Sequence, residues 1–327
     1  MSVPWPAGTA TGVGSLPGTD PLEAARWVVG ELPLPHLPEL PDRGAHADLA
    51  GRGAALLTDL PVDLQPTGWR MVPRPSRDGQ RAKDLLSRDL DALEQAVGDE
   101  APGLLKVQVT GPWTLAASVE LHRGDRVLAD HAAVADLAQS LADGVALHLA
   151  DLRRRFPSTT LLLQVDEPSL PAVLAAQIPT ASGFGRLRRP DPLVARDRLA
   201  TVLAVNEHVA VHCCAPRPPV RLLVEAGATA LSVDAAMLAS RDDDDLGAAL
   251  EAGVGLLLGC VPSTDADLPS VRDLLQLLGR LRDRVGLVPA ATALTPGCGL
   301  AGASPGHARA ALARCVEAAQ AGAEEQG

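Results

Sequence analysis

Short apolar runs and longer amphipathic stretches alternate along this chain. The short runs are rich in Val and Leu, and the stretches between them carry apolar residues at three- and four-residue spacing. This alternation is typical of parallel strands joined by crossover helices, so it predicts an α/β fold of the TIM (β/α)8 barrel type. The eight predicted strands lie near residues 9–15, 35–40, 104–110, 159–166, 208–214, 229–234, 253–260 and 285–291.

The amphipathic stretches predict the helices that would cover such a sheet. They include residues 133–155, 192–207, 220–226, 268–284 and 305–319. The region 41–103 is too long for a simple crossover and contains the proline-rich stretch LPVDLQPTGWRMVPRP. We expect it to form an elaboration over one rim of the barrel, with a hairpin as one option.

Length and composition indicate one globular unit. The chain has 327 residues, of which 46% are hydrophobic, and no Gly/Ser linker or long charge block divides it. Such a length suits either one large α/β barrel or two domains. Because no boundary is visible, we predict a single barrel domain over residues 1–327.

Charge and hydropathy exclude several classes of partner. The formal net charge is −11, which argues against binding to nucleic acid or to an anionic membrane. The N-terminal residues MSVPWP lack a basic segment followed by an apolar one, and no apolar run reaches the roughly 20 residues of a membrane span. We therefore expect a cytoplasmic protein, in which the five cysteines remain thiols.

The segment HVAVHCCAP carries the first candidate chemistry. Side chains alternate along a strand, so His212 and Cys214 share one face while Cys213 lies on the other. An active site in a TIM barrel lies at the carboxyl ends of its strands, where this pair would be. Imidazole and thiolate are common zinc ligands, so the pair could form half of a zinc site. The alternative is a buried pair that binds no metal.

Four further strand ends add polar candidates. Asp234 ends an apolar strand and would be solvated, salt-bridged or metal-bound. Cys298 lies between two glycines, where the backbone can bring a thiolate near the barrel axis or can form only a turn. Asp166 could hold a substrate ammonium or form a salt bridge, and Ser15 in GVGSLPGTD could hold a carboxylate or lie in a plain turn.

Five motifs in this order resemble the catalytic domain of cobalamin-independent methionine synthase. They are GVGSLPGTD, VTGPWTL, LQVDEPSL, VHCCA and LTPGCGLAG, and the resemblance extends from about residue 10 to 320. The chain resembles the short members of this family, which have a single barrel. The resemblance implies a zinc-dependent methyltransferase that methylates a small thiol, with homocysteine converted to methionine as the leading reaction.

The resemblance also implies a zinc-ligand set. His212, Cys214 and Cys298 match the His-x-Cys pair and the Pro-x-Cys-Gly-Leu turn of the family. Asp234 falls where the family has glutamate, and Cys260 at the end of the next strand is the alternative fourth ligand. No catalytic residue is predicted beyond this zinc site.

The same resemblance assigns residues to the substrate. Ser15 and Asp166 match the serine and aspartate that hold the amino acid end of homocysteine. Glu39 in PELPDR matches a further substrate carboxylate. These three residues are the predicted substrate-binding set.

The methyl donor is either methyltetrahydrofolate or a methylcorrinoid, which a partner protein could carry. Ser118 stands where the family has the tryptophan that stacks on folate, and Thr264 stands where it has a histidine that assists proton transfer to that donor. Both replacements fit a methylcorrinoid. Two rival functions remain: an enzyme like uroporphyrinogen decarboxylase, which shares the barrel without zinc, and a non-catalytic zinc- or corrinoid-binding protein.

Overall fold

The computed structural model describes residues 3–324, so residues 1–2 and 325–327 of the predicted single domain lie outside the described residues. Its strands are β1 (Val62–Gln65), β2 (Gly68–Met71), β3 (Leu104–Thr110), β4 (Thr160–Asp166), β5 (Val209–Cys213), β6 (Ala230–Asp234), β7 (Gly255–Val261) and β8 (Thr292–Pro296). Strands β3 to β8 form one parallel sheet in sequence order, which confirms the predicted α/β class.

Helices separate the parallel strands along the chain, as the amphipathic stretches predicted. They are α1 (Pro21–Glu31), α2 (Leu49–Leu56), α3 (Arg77–Val97), α4 (Pro112–Ser118), α5 (His131–Arg155), α6 (Leu170–Leu174), α7 (Pro192–Leu203), α8 (Val220–Glu225), α9 (Asp243–Glu251), α10 (Val271–Val285) and α11 (Pro305–Glu324). Within the described part of the chain, none of them is long and apolar enough to cross a membrane.

The two predicted N-terminal strands, 9–15 and 35–40, are replaced by isolated bridges in the described chain. Gly12 and Gly14 interrupt the first segment, and Pro35 and Pro38, which cannot donate a ladder hydrogen bond, interrupt the second. The bridges still connect the edge strands β8 and β3 through these two segments. They pair Ala10 with Leu294, Ser15 with Glu39, and His36 with Lys106.

The predicted eighth strand, 285–291, is wrong. Val285 ends helix α10, and Gly286 follows it in the left-handed conformation with φ of 70°. Pro289 then begins a short 3₁₀ turn, and β8 starts only at Thr292. The run VGLVP has strand-like composition, but Gly286 caps a helix there and Pro289 lacks the N–H that a strand needs.

The five intermediate strand predictions, from 104–110 to 253–260, agree with β3 to β7 to within two residues at each end. Alternate side chains of these strands point to the interior of the curved sheet. An apolar layer of small and large residues lies at the amino-terminal level of this interior, formed by Trp5, Leu34, Leu162, Ala210, Ala230, Leu257 and Ala293. A buried polar layer follows toward the carboxyl ends, formed by Lys106, Gln108, Gln164, His212, Ser232 and Thr295.

The long segment 41–103 contains α2, α3 and an antiparallel hairpin between them, which was one predicted option. Strands β1 and β2 pair from Val62 with Met71 to Gln65 with Gly68. Helix α3 packs against both α1 and α2. The segment therefore carries its own small hairpin while its helices belong to the outer layer.

A buried histidine on α5 makes the stability of the fold sensitive to acid. Burial lowers the pKa of His148 from 6.5 to about 4, and the charge of Arg52 acts in the same direction. The unfolded chain thus binds more protons than the folded protein below about pH 6.5, so the free energy of unfolding falls as the pH drops from there to about 4. We expect His148→Gln to reduce that loss by about 2 kcal/mol.

The measurement for this prediction is urea unfolding at several pH values. His131→Gln is the matched control because His131 lies on the same helix and is exposed. An unchanged pH dependence in the His148 variant would contradict the prediction.

Candidate metal centre

Two thiols and one imidazole meet at the carboxyl end of the sheet. The Sγ atoms of Cys214 and Cys298 are 2.9 Å apart, and Cys298 Sγ is 3.9 Å from His212 Nε2. All three donor atoms lie within 4.8 Å of one another. Cys214 thus lies beside His212 as the strand parity predicted, while Cys213 is buried on the opposite face of β5.

The orientation of the imidazole suits a metal ligand. His212 Nδ1 lies 2.9 Å from the hydroxyl oxygen of Ser232 on the neighbouring strand β6. This contact occupies one ring nitrogen and leaves Nε2 directed at the sulfur atoms, which is the usual way in which a second polar group orients a histidine ligand. One nitrogen and two sulfurs are the donor types that zinc prefers in tetrahedral sites.

The short contact between the two thiols changes their acidity in opposite directions. Its hydrogen bond lowers the pKa of Cys298 and raises that of Cys214. His212 also favours the thiolate of Cys298, because it lies within hydrogen-bonding range of that sulfur. The pair therefore holds one negative charge readily, which suits the binding of a cation.

Asp234 lies beside this cluster but outside the group of three. Its Oδ1 accepts a hydrogen bond of 2.9 Å from the backbone N–H of Ala236. A methyl group on Gly297 would lie 2.8 Å from Asp234 Oδ2, so this glycine lets the turn before Cys298 approach the carboxylate. Burial raises the pKa of Asp234, and the charges of Cys298 and His212 also act on it.

Cys260, the alternative fourth ligand, turns toward the helices instead. Its Sγ lies 3.8 Å from the carbonyl oxygen of Thr295, and it contacts the buried Cys315 of α11. It packs against the large apolar cluster between sheet and helices. Cys260 is thus separated from the His212 cluster, because the even-numbered residues of β7 point from the sheet toward the helices and not into its interior.

A cavity of about 230 Å³ joins the metal cluster to the predicted substrate residues. Some of its lining residues are small or apolar, while the polar ones carry the candidate chemistry. The polar side chains are Ser15, Glu39, Asp166, His212, Cys214 and Cys298. All three predicted substrate residues therefore face the same space as three of the four predicted metal ligands, while Asp234 is not among the lining residues.

The substrate residues are held by contacts within the protein. Asp166 Oδ1 accepts a hydrogen bond of 2.7 Å from Gln164 Nε2, and burial raises the pKa of Asp166 to about 7. Ser15 reaches the Cys298 turn because Gly299 has no side chain, and a Cβ there would lie 2.0 Å from Ser15 Oγ. These close approaches need glycine in the turn that carries Cys298.

A buried ion-pair network that sequence reasoning missed supports Glu39. Arg52 Nε donates to Glu39 Oε1 at 3.0 Å, and Arg52 Nη1 donates to Asp89 Oδ2 at 2.7 Å. Arg43 binds the same Asp89 through two hydrogen bonds of 2.7 and 2.8 Å. The segment 41–103 thereby supplies the partners of a cavity carboxylate, and no local pattern in the sequence signals this.

Glu167, next to Asp166, has a structural role. It is completely buried and accepts hydrogen bonds from the backbone N–H groups of Trp113 and Thr114 and from the Thr114 hydroxyl. A methyl group on Gly111 would lie 2.4 Å from its carboxyl carbon. Glu167 thus caps the first turn of α4 and joins two of the sequence motifs, VTGPWTL and LQVDEPSL.

A family model described as cobalamin-independent synthase, catalytic domain, matches residues 7–321. The chain belongs to this family. The resemblance in the five motifs is thereby confirmed, and family membership supports a methyltransferase activity. A search of curated proteins found no match.

A solved structure of a methionine synthase shares the fold. It is a B12-independent methionine synthase from Shewanella sp. W3-18-1 in complex with selenomethionine, with a TM-score of 0.65 and 13% sequence identity. The likeness covers 98% of this chain and 97% of that chain. At this identity the comparison supports the fold of this synthase-family chain.

Proposed function

We propose that this protein is a zinc-dependent methyltransferase that methylates homocysteine to give methionine. One observation carries the proposal: the candidate ligands His212, Cys214 and Cys298 line the same cavity as Ser15, Glu39 and Asp166. A thiol that enters this cavity would therefore meet sulfur and nitrogen donors at one end and groups suited to an amino acid at the other.

His212 Nε2, Cys214 Sγ and Cys298 Sγ would hold the zinc ion. We propose Asp234 as the fourth ligand because it ends the neighbouring strand and its carboxylate interacts electrostatically with His212 and Cys298. When bound, zinc would stabilise the thiolate form of the substrate near neutral pH. Ser232 would keep the imidazole in the required orientation through Nδ1.

The other side of the cavity would bind the amino acid end of homocysteine. Asp166 is suited to the substrate ammonium because its Oδ1 is already fixed by Gln164. Ser15 is suited to the carboxylate, since its hydroxyl lies beside the Cys298 turn. Glu39, held by Arg52, supplies a second carboxylate on the ammonium side. Together these residues would orient the sulfur for displacement, in which the S–C bond forms while the donor keeps the electron pair of its bond to methyl.

We propose a methylcorrinoid, presented by a partner protein, as the methyl donor. Ser118 donates its hydroxyl to the carbonyl of Thr114 and offers no aromatic face. The nearby Trp113 is buried, and its indole N–H donates to the carbonyl of Ala195, so it cannot stack on a folate. Both observations support a donor other than methyltetrahydrofolate.

We also propose that residues 9–15 and 35–40 act as the first two strands of a TIM barrel that forms a single domain. The bridges from Ala10 to Leu294 and from His36 to Lys106 support this, because they connect the two edges of the six-stranded sheet. The bridge between Ser15 and Glu39 joins the two segments to each other. Closure of the barrel through these bridges would bring Ser15 and Glu39 to the cavity.

The test is methionine formation by zinc-loaded protein from homocysteine with methylcobalamin or with methyltetrahydrofolate. We expect methionine with the corrinoid only. Methionine from the folate would contradict the proposed donor, and no methionine from either donor would favour a non-catalytic binding protein. A decarboxylase of the uroporphyrinogen type needs basic residues, whereas no described residue that lines the cavity is Arg or Lys.

A further inference from the structure

A lysine lies completely buried beneath the cavity. Lys106 has no exposed surface, and its Nζ donates to the carbonyl of Val13 and to Gln164 Oε1, each at 2.8 Å. The chain has only one other lysine, Lys83, against 27 arginines. A buried ammonium is costly unless it is paired, so its presence at this position calls for a specific role.

The side chain of Gln164 connects Lys106 to the cavity residue Asp166. Its Nε2 donates to Asp166 Oδ1 at 2.7 Å and to the carbonyl of Val13 at 2.9 Å. The amide oxygen is thereby left for the ammonium of Lys106, and the three contacts together fix which way the amide faces. Lys106, Gln164 and Asp166 thus form one continuous chain from the interior to the cavity wall.

We propose that Lys106 is a positioning residue that, through Gln164, orients Asp166 for recognition of the ammonium group of the thiol substrate. The inference rests on the proposed function, which assigns Asp166 to that group. With Oδ1 held by Gln164, the other carboxylate oxygen is the one available to a ligand. The positive charge of Lys106 also balances Asp166 inside the sheet until a cationic substrate arrives.

The small ammonium head explains why this position is lysine in an arginine-rich chain. The backbone of Lys106 forms a β-bridge with His36 at the edge of the sheet, and its side chain is fully buried. A guanidinium is planar, larger and spreads its five donors in a fork, so it would not fit between one carbonyl and one amide oxygen without displacing them. Arginine is therefore not an equivalent residue here.

The test compares two thiols that differ only in the amino group, homocysteine and 4-mercaptobutanoate. Dissociation constants are measured by calorimetry on the zinc-loaded full chain. We expect wild-type protein to prefer homocysteine by about tenfold or more, which is the contribution of a charge-assisted contact. Lys106→Met should reduce this preference to about twofold or less while the affinity for 4-mercaptobutanoate stays within about twofold of the wild-type value.

Two further variants make the outcome decisive. Lys83→Met is the matched control, because Lys83 is exposed on α3, and it should keep the full preference. Gln164→Met interrupts the same chain of contacts at its middle. It replaces Lys106→Met in the test if circular dichroism shows that Lys106→Met is not folded. If a folded Lys106 or Gln164 variant keeps the preference for homocysteine, the role of Lys106 is overturned while the proposed function stands. A wild-type protein without any preference would instead overturn the proposed role of Asp166.

Discussion

Cys214→Ala is expected to lower methyl transfer to homocysteine by about a thousandfold and to abolish stoichiometric zinc binding. Cys214 Sγ is part of the three-donor cluster and lies 2.9 Å from Cys298 Sγ. Its removal leaves His212, Cys298 and the proposed ligand Asp234, one donor fewer than the four of a closed zinc site, and it takes away one of the two thiolates. The measurements are the rate of methionine formation and the zinc content of the same preparation.

Cys213→Ala is the matched control for this prediction. Cys213 is the preceding residue on β5, is 1% exposed and points away from the cavity. Burial raises its pKa to about 12, so it remains a thiol at neutral pH. We expect this variant to keep its zinc and its turnover. Equal losses in both variants, or none in either, would contradict the assignment of Cys214.

Asp89→Asn is expected to lower the free energy of unfolding by about 3 to 5 kcal/mol. The Asp89 side chain is 2% exposed and binds both Arg43 and Arg52, whose side chains are 11% and 6% exposed. Asparagine has nearly the same size, but it removes the charge that balances two enclosed guanidinium groups. Urea unfolding measures the change through the midpoint and slope of the transition.

Asp91→Asn provides the comparison on the same helix. Asp91 binds Arg155 at 2.8 Å, but its side chain is 63% exposed, so the pair contributes at most about 1 kcal/mol. A loss in Asp89→Asn as small as that in Asp91→Asn would contradict the view that Asp89 supports the cavity wall. Because Arg52 also binds Glu39, the Asp89 variant should additionally weaken homocysteine binding.

Local sequence patterns predicted the central part of the fold and the geometry of one strand end. Strands β3 to β7 are buried apolar runs, and their composition alone indicates them. The period of two along β5 is enough to distinguish Cys214 from Cys213. For Cys298, 84 residues away from Cys214, the glycine-flanked turn left two interpretations open, and the family resemblance favoured the one that brings the two thiols together.

The features that were missed depend on contacts between distant segments. Arg52 and Asp89 are 37 residues apart, and Lys106 and Gln164 are 58 apart, so no periodicity connects them. The eighth strand was misplaced because an apolar run around Gly286 ends a helix there. A lone lysine inside an apolar strand was the signal that could have identified Lys106.

The zinc content of purified protein, measured beside that of Cys298→Ser, tests the central claim most directly. Cys298 contributes a donor atom to the cluster and follows β8 in a turn that lines the cavity. We expect about one zinc per chain in the wild type, as a single four-ligand site requires, and loss of that zinc in the variant. Wild-type protein that stays free of zinc after reconstitution, or a variant that keeps it, would contradict a thiol-activating metal site.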